Sequence, residues 1–349
     1  MEDFPISQNR VYIDVDAARQ CPRGNITLKQ DSQTGIVFNE SFREDNSIYD
    51  EHYQNEQGYS LIFQQHLEQV ARIIDRNFRG KSILEIGCGK GTFLELLSSQ
   101  GFSITGIDPA YEGNSEYILK TLFSRSLGIS SDSIMLRHVL EHIPDPVKFL
   151  ISIREANGGK GYAYIETPCL DWICKNRAWF DIYHEHVNYF RLSDFFRLFG
   201  NIVESGKLFG GQYLYIVADL ASLNANSGTS IEKFRLPNDF LAGINYVITQ
   251  INSSKKRKNI LWGAASKGVV FALLLLRQGG ILPDFAIDIN PMKQGKYLPI
   301  TAVPVVSPHN GLEKMTDGDA IFIVNSNYYE EIKSIAGSNL TYYKVDNDF

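Results

Sequence analysis

Residues 83–93 read ILEIGCGKGTF, and this stretch decides the fold. Ile83, Leu84 and Ile86 form a buried-strand pattern around Glu85, and Gly87, Gly89 and Gly91 then break it before a helical run begins at Thr92. Glycine lets the backbone turn tightly and approach a ligand, and the helix start beyond offers unpaired N–H groups. The next strand pattern, SITGID, ends at Asp108, near the spacing at which a carboxylate takes the ribose hydroxyls of a bound nucleotide. Two cofactor types fit such a loop. A dinucleotide fingerprint, Gly-x-Gly-x-x-Gly, requires glycine at position 92, where Thr92 stands.

Outward from the loop, Ser60–Phe78 carries Leu61, Ile62, Leu67, Val70, Ile73 and Ile74 at helical spacing and stops at Arg79-Gly80. Downstream, SDSIMLRHV and GKGYAYIETP read as strands around a helix, PDPVKFLISIREAN, opened by Pro146. LSDFFRLFG is a helix, and NIVESGKLF and QYLYIVADL are two strands in succession, an antiparallel hairpin closing the sheet. Such alternation predicts an α/β fold with a mostly parallel sheet covered on both faces. SLNANSGTS (222–230) reads as a linker, followed by a helix near 238–251. NILWGA, SKGVVFALLLLRQG, PDFAIDIN and GDAIFIVN then form a second strand–helix unit. The expected organisation is a short N-terminal segment (1–59), an α/β domain (60–221), a linker and connecting helix (222–259), and a C-terminal Rossmann-like α/β domain (260–349).

The 349 residues carry a formal net charge of -6, which argues against nucleic acid or an anionic membrane as partner. The one basic cluster, KKRK (255–258), reads as a solvated linker. Cys21, Cys88, Cys169 and Cys174 lack paired spacing, so neither a structural zinc site nor a disulfide framework is expected. The stretch MEDFPISQNR has no signal-peptide core, and the longest apolar run, Val269–Leu276, is too short to span a bilayer; a cytoplasmic protein is expected.

The Glu-x-Gly-x-Gly-x-Gly pattern resembles the first motif of class I S-adenosylmethionine-dependent methyltransferases. That resemblance implies a Rossmann-like methyltransferase sheet and S-adenosylmethionine as cofactor, held by Glu85, Gly87, Gly89, Gly91, Asp108 and Pro109, with His138 beside it. No acidic strand end marks the adenine contact clearly, and Asp132 is the nearest candidate. SIMLRHVLEHIPDPVKFL, IETPCLDW, FDIYHEHVNYF, WGAASKG, DINPMKQGKYLP and VPVVSP are similar to the sugar C-methyltransferase family, from about residue 35 onward. Members modify nucleotide-linked keto-deoxysugars, so a small-molecule nucleotide sugar is the implied partner. Two features depart from the family. Its N-terminal zinc-binding domain is reduced here to a region with Cys21 alone, and GGQYLYIV (210–217) replaces a GGS-type loop.

FDIYHEHVNYF (180–190) concentrates the chemistry. A carbon beside a ketone becomes nucleophilic only after losing a proton, which needs a base and a group to stabilise the enolate oxygen. By resemblance His186 is the base, Glu185 and Tyr183 support it, and Tyr53 and Tyr59 line the site; His142, just after the strand bearing the cofactor-facing loop, is a candidate second acid–base group. In an extended segment Tyr183 and Glu185 point one way and His184 and His186 the other. A metal at His184-x-His186, with Glu185 between them, lacks a third clearly placed ligand, so none is expected. In the second unit, Ser266 and Lys267 at a helix start make a candidate diphosphate site, and Asp288 and Asn290 stand where a ribose lies. The expected reaction is C-methylation alpha to the ketone of a nucleotide 4-keto-6-deoxysugar. The alternatives are a sugar O-methyltransferase of surface-polysaccharide biosynthesis and a non-catalytic scaffold that keeps the donor fold.

Overall fold

In a computed structural model, which describes residues 1–43, 57–224, 230–253 and 256–346, the strand Ser82–Ile86 lies inside a seven-stranded sheet. Across the sheet the order is Ile202–Leu208, Tyr213–Asp219, Tyr162–Pro168, Ser133–Arg137, Ser82–Ile86, Ser103–Ile107, Ile118–Leu119. Tyr213–Asp219 alone runs against the others. This is the class I methyltransferase sheet that the glycine motif implies, including its closing hairpin. Ile83, Leu84 and Ile86 are at most 4% exposed because helices cover both faces. Truncating such a residue, as in Leu84→Ala, costs about 2–5 kcal/mol through lost burial and the cavity left behind.

The covering helices begin as the sequence dictates. Ser60 caps Leu61–Phe78 by accepting from the Phe63 N–H, and the helix buries Phe63, His66, Leu67, Val70 and Ile74. Asp145 caps Pro146–Ala156 by accepting from the Lys148 N–H. The C-terminal unit is a fully parallel sheet in the order Val305–Val306, Phe285–Ile287, Asn259–Trp262, Ala320–Ile323, Thr341–Lys344. Two of its five strands, Val305–Val306 and Thr341–Lys344, and the helix Tyr329–Ala336 go beyond the sequence pattern. The connecting helix runs Ala242–Asn252.

Residues before the first long helix do not stand apart. Val37–Asn39 pairs antiparallel with Leu28–Gln30 on one side and with Asn188–Tyr189 on the other, so the histidine-rich stretch gives one strand of an N-terminal sheet. Arg191 and Arg197 share Asp194 and donate to the carbonyls of Gly35 and Thr34, fixing that hairpin. The two α/β units also meet directly. Gln212 and Asn325 exchange side-chain hydrogen bonds of 2.8 and 3.1 Å, and Asn327 donates to the Phe209 carbonyl at 2.9 Å. Trp179 stacks on Phe271 of the helix Ser266–Arg277. No helix among the described residues is long and apolar enough to cross a membrane.

Candidate active site

A cavity of ≈ 600 Å³ opens between the two units. At one end its wall is the glycine loop. Gly87 has φ +77, and a Cβ there would sit 2.4 Å from Val139 Cγ2, so only glycine fits. The Gly89 N–H donates to Asp108 Oδ2 and the Ala110 N–H to Oδ1, both at 2.8 Å, which holds the Asp108 carboxylate against the loop. Glu85, Gly87, Gly89, Asp108 and Pro109 line the cavity, whereas Gly91 stands behind it as the left-handed cap of Thr92–Ser99. Leu122, Phe123 and Phe149 add an apolar wall. Asp132 is not there; it accepts from the Ser82 N–H and hydroxyl at the protein surface.

Glu85 is 1% exposed, its Oε2 has no partner among the described residues, and Arg137 lies 3.7 Å from Oε1. Burial pushes its carboxyl up to about 7, against the pull of Arg137. An orphaned buried carboxylate, a strand-end Asp and an apolar wall suit a ligand with a cationic amino-acid end, a ribose and a flat base. S-adenosylmethionine has that form, and when bound it supplies an electrophilic methyl group. Glu85, Gly87, Gly89 and Asp108 are the residues that would hold it.

Behind this end lies a charged cluster with little sequence signature. Glu166, fully buried, accepts from Tyr164 Oη at 2.6 Å and pairs with His66 Nε2 at 2.9 Å and His138 Nε2 at 3.1 Å. His138 Nδ1 meets Glu141 Oε1 at 3.2 Å. Burial alone would lower the His138 pKa, but hydrogen bonds to Glu141 and Glu166 overrule it and raise the pKa to about 9. Burial likewise pushes Glu166 up, yet the adjoining histidines hold it well below the usual carboxylate range. His138 therefore lines the cavity as a cation, in a left-handed backbone conformation (φ 53) uncommon outside glycine. With both ring nitrogens taken by carboxylates, it reaches the cofactor space by its ring edge alone.

The histidine-rich stretch closes the cavity from the other side. His186 is 5% exposed, with its ring 4.1 Å from Tyr183 and 5.0 Å from His142. Its Nδ1 has no partner among the described residues. Burial, with His142, His138 and Lys267 nearby, drives its pKa well below the usual imidazole value, so it is a neutral base at pH 7. Burial raises the Tyr183 pKa far above normal, leaving a neutral phenol on the cavity wall. His142 donates from Nδ1 to the Glu185 carbonyl at 2.9 Å, and Asn188 donates to the Ile143 carbonyl at 2.6 Å, which laces the turn Leu140–His142 to this stretch.

Strict alternation fails here because the segment is a loop held from several sides. Tyr183 and His186 both face the cavity. His184 turns away to Phe42 and fills space under Gly24, where a Cβ would clash with its ring. Glu185 does not reach His186. Its two oxygens accept from the Asn9 backbone N–H at 3.1 Å and the Asn9 side chain at 3.2 Å. Tyr59 is 52% exposed and off the cavity wall; Gln57 and Ser60 line it instead. Tyr53 lies outside the described residues.

The C-terminal unit repeats the logic of the first. The Gly263 N–H donates to the Ile287 carbonyl as Gly87 does to Ile107, and Asp288 accepts from Ala264 and Asn290 N–H groups. Ser266, Lys267 and Asp288 line the cavity. Asn290 does not; its side chain accepts from the Met292 N–H and shapes the turn. Lys267 is already engaged, donating to Asp181 at 2.5 Å beneath Trp172 and Phe180. Lys293, inside DINPMKQGKYLP but given no role by the sequence, is another lysine on the wall, 2% exposed with a long 3.4 Å bond to the Ala264 carbonyl.

A methyltransferase-domain family matches residues 51–202, and a C-methyltransferase C-terminal domain family matches residues 243–339. The C-methyltransferase NovU of Streptomyces niveus is 25% identical over 277 residues, 68% of this chain and 65% of that protein. A mitochondrial ubiquinone biosynthesis O-methyltransferase of Schizosaccharomyces pombe is 32% identical over 110 residues, 27% of this chain and 40% of that protein. The chain thus spans less than two thirds of either relative's length. A SAM-dependent methyltransferase structure from Archaeoglobus fulgidus aligns with 46% of this chain and 100% of its own, at 19% identity and a TM-score of 0.32.

Proposed function

We infer from the C-methyltransferase family, to which this chain belongs, that it methylates a carbon alpha to the ketone of a nucleotide-linked 4-keto-6-deoxysugar. The observation that carries this reading is His186, a buried neutral imidazole with an orphaned Nδ1 where the donor end of the cavity meets the C-terminal unit. His186 takes the proton from the carbon beside the ketone. Tyr183, kept as a phenol by burial, donates to the oxygen that gains charge as the enolate forms. His142 lies against the base and is oriented by the Glu185 carbonyl, so it can pass the proton onward.

On the acceptor side, Lys293 and the start of the helix at Ser266 face a diphosphate, and Lys267 contributes once it shares Asp181. Apolar walls and the contacts between the two units exclude water that would otherwise quench the enolate.

The test is NMR of products formed from methyl-labelled S-adenosylmethionine and a panel of nucleotide 4-keto-6-deoxysugars. A new methyl on carbon supports the enolate route. A methyl on oxygen recasts His186 as a hydroxyl base in an O-methyltransferase. Donor binding without transfer to any sugar overturns the acceptor assignment.

A further inference from the structure

We infer that Glu141 is the residue by which this site tells a methyl donor from its spent product, because its carboxylate answers the positive charge of the sulfonium. The inference rests on His186 marking the transfer end of the cavity.

Glu141 is 1% exposed and lies on the cavity wall. One oxygen, Oε1, pairs with His138 Nδ1 at 3.2 Å. The other, Oε2, is buried and has no hydrogen-bond partner among the described residues. A buried carboxylate oxygen left unpaired is costly, so its persistence points to a positively charged visitor. Glu85 holds the second such oxygen on the same wall, at the glycine loop.

The two acids differ in what stands beside them. Glu85 has Arg137 at 3.7 Å. Glu141 offers an oxygen within 4.8 Å of ring nitrogens of both His142 and His186. It therefore lies at the His186 end of the cavity. His186 is held neutral there, and His138 is shared between Glu141 and Glu166, so Glu141 keeps one carboxylate oxygen without a hydrogen-bond partner among the described residues.

S-adenosylmethionine carries two positive centres, an ammonium and a sulfonium. In the transfer the C–S bond breaks with its electron pair left on sulfur, the enolate pair forms the C–C bond, and the proton stays with the base. The product S-adenosylhomocysteine keeps the ammonium and loses the sulfonium charge. Glu85 serves the part common to both ligands. Glu141 serves the part that disappears, so it favours loading of the donor and release of the product.

The experiment is isothermal titration of the full-length protein with S-adenosylmethionine, S-adenosylhomocysteine and sinefungin, which carries an amine in place of the S-methyl group. Wild type is expected to bind both cationic ligands more tightly than S-adenosylhomocysteine. Glu141→Gln is expected to weaken the cationic ligands about tenfold, the scale of one screened charge–charge contact, and to leave S-adenosylhomocysteine within about twofold. Retained S-adenosylhomocysteine binding also demonstrates that the variant pocket is intact. Equal losses for all three ligands, or S-adenosylhomocysteine bound as tightly as the cations by wild type, overturn the proposal. So does loss of the preference in EDTA with recovery in zinc, since the oxygen would then serve a metal between Glu141, His142 and His186. Activity of His186→Asn, read separately, tests the transfer end on which the inference rests.

Discussion

Replacing Glu166 with Gln should loosen the protein and flatten its response to alkaline pH. Glu166 holds three donors, the buried His66 and Tyr164 and the half-buried His138. Their bonds to a carboxylate are charge-assisted, and breaking a buried ionic cluster on one side costs about 3–5 kcal/mol because the partners stay buried. His138 gives an independent scale. Its rise from 6.5 to about 9, at about 1.36 kcal/mol per unit, corresponds to about 3 kcal/mol, and Glu166 supplies one of its two carboxylate partners. A raised folded-state pKa stabilises fully below the unfolded value and loses that contribution as pH climbs through the folded value. Wild type should therefore lose stability between pH 6.5 and about 9. Glu166→Gln should start lower at pH 7 by about 3 kcal/mol and lose about half as much over the same window. The assay is urea unfolding followed by the fluorescence of Trp172, Trp179 and Trp262 at several pH values. The expected shift in midpoint is about 1 M at pH 7, given an m-value at or above the top of the small-protein range. A variant that unfolds at the wild-type midpoint with the wild-type pH slope would refute the reasoning.

Other perturbations report on separate parts of the site. His186→Asn should lower transfer about 10²–10⁴-fold while donor binding by titration stays unchanged. Because the His186 pKa is depressed, the acid limb of the wild-type kcat/KM profile should fall below pH 6.5 rather than at it. Gly87→Ala should abolish donor-induced thermal stabilisation, since its Cβ meets Val139 Cγ2 in a left-handed turn. Lys293→Met should raise the KM for the nucleotide sugar at least about tenfold, as for loss of a charged hydrogen bond, and leave donor affinity untouched.

The parts of this protein that could be read from sequence were those whose cause is local. The strand–glycine–helix signal at 82–99 and the hairpin at 202–219 follow from apolar patterning, and the structure carries both. Val305–Val306 and Thr341–Lys344 escaped because such short strands, the second only partly buried, exist by pairing with neighbours already in place. The site divides the same way. His186, Asp108 and Gly87 are of residue types whose chemistry the motifs announce, whereas Asn9 and Lys293 matter through partners far away in the chain, and Glu141, inside a quoted motif, matters through an oxygen that only the fold leaves unpaired. Glu166 did leave a trace: a lone acid inside the apolar strand YAYIETP needs buried partners. Where alternation was applied to Tyr183–His186, contacts from three sides overruled it.

Asn9 carries a practical lesson for protein engineers. With its backbone and side chain it grips Glu185, and its Oδ1 accepts from the Ser266 N–H at 3.4 Å. The loop bearing His186 is thus fastened to the far domain through a residue near the start of the chain. A chimaera spliced at the linker, with a foreign C-terminal half, would inherit a loop fitted to the wrong neighbour. The transplantable unit is not the domain but residues 1–43 together with the half they face, chosen as a matched pair.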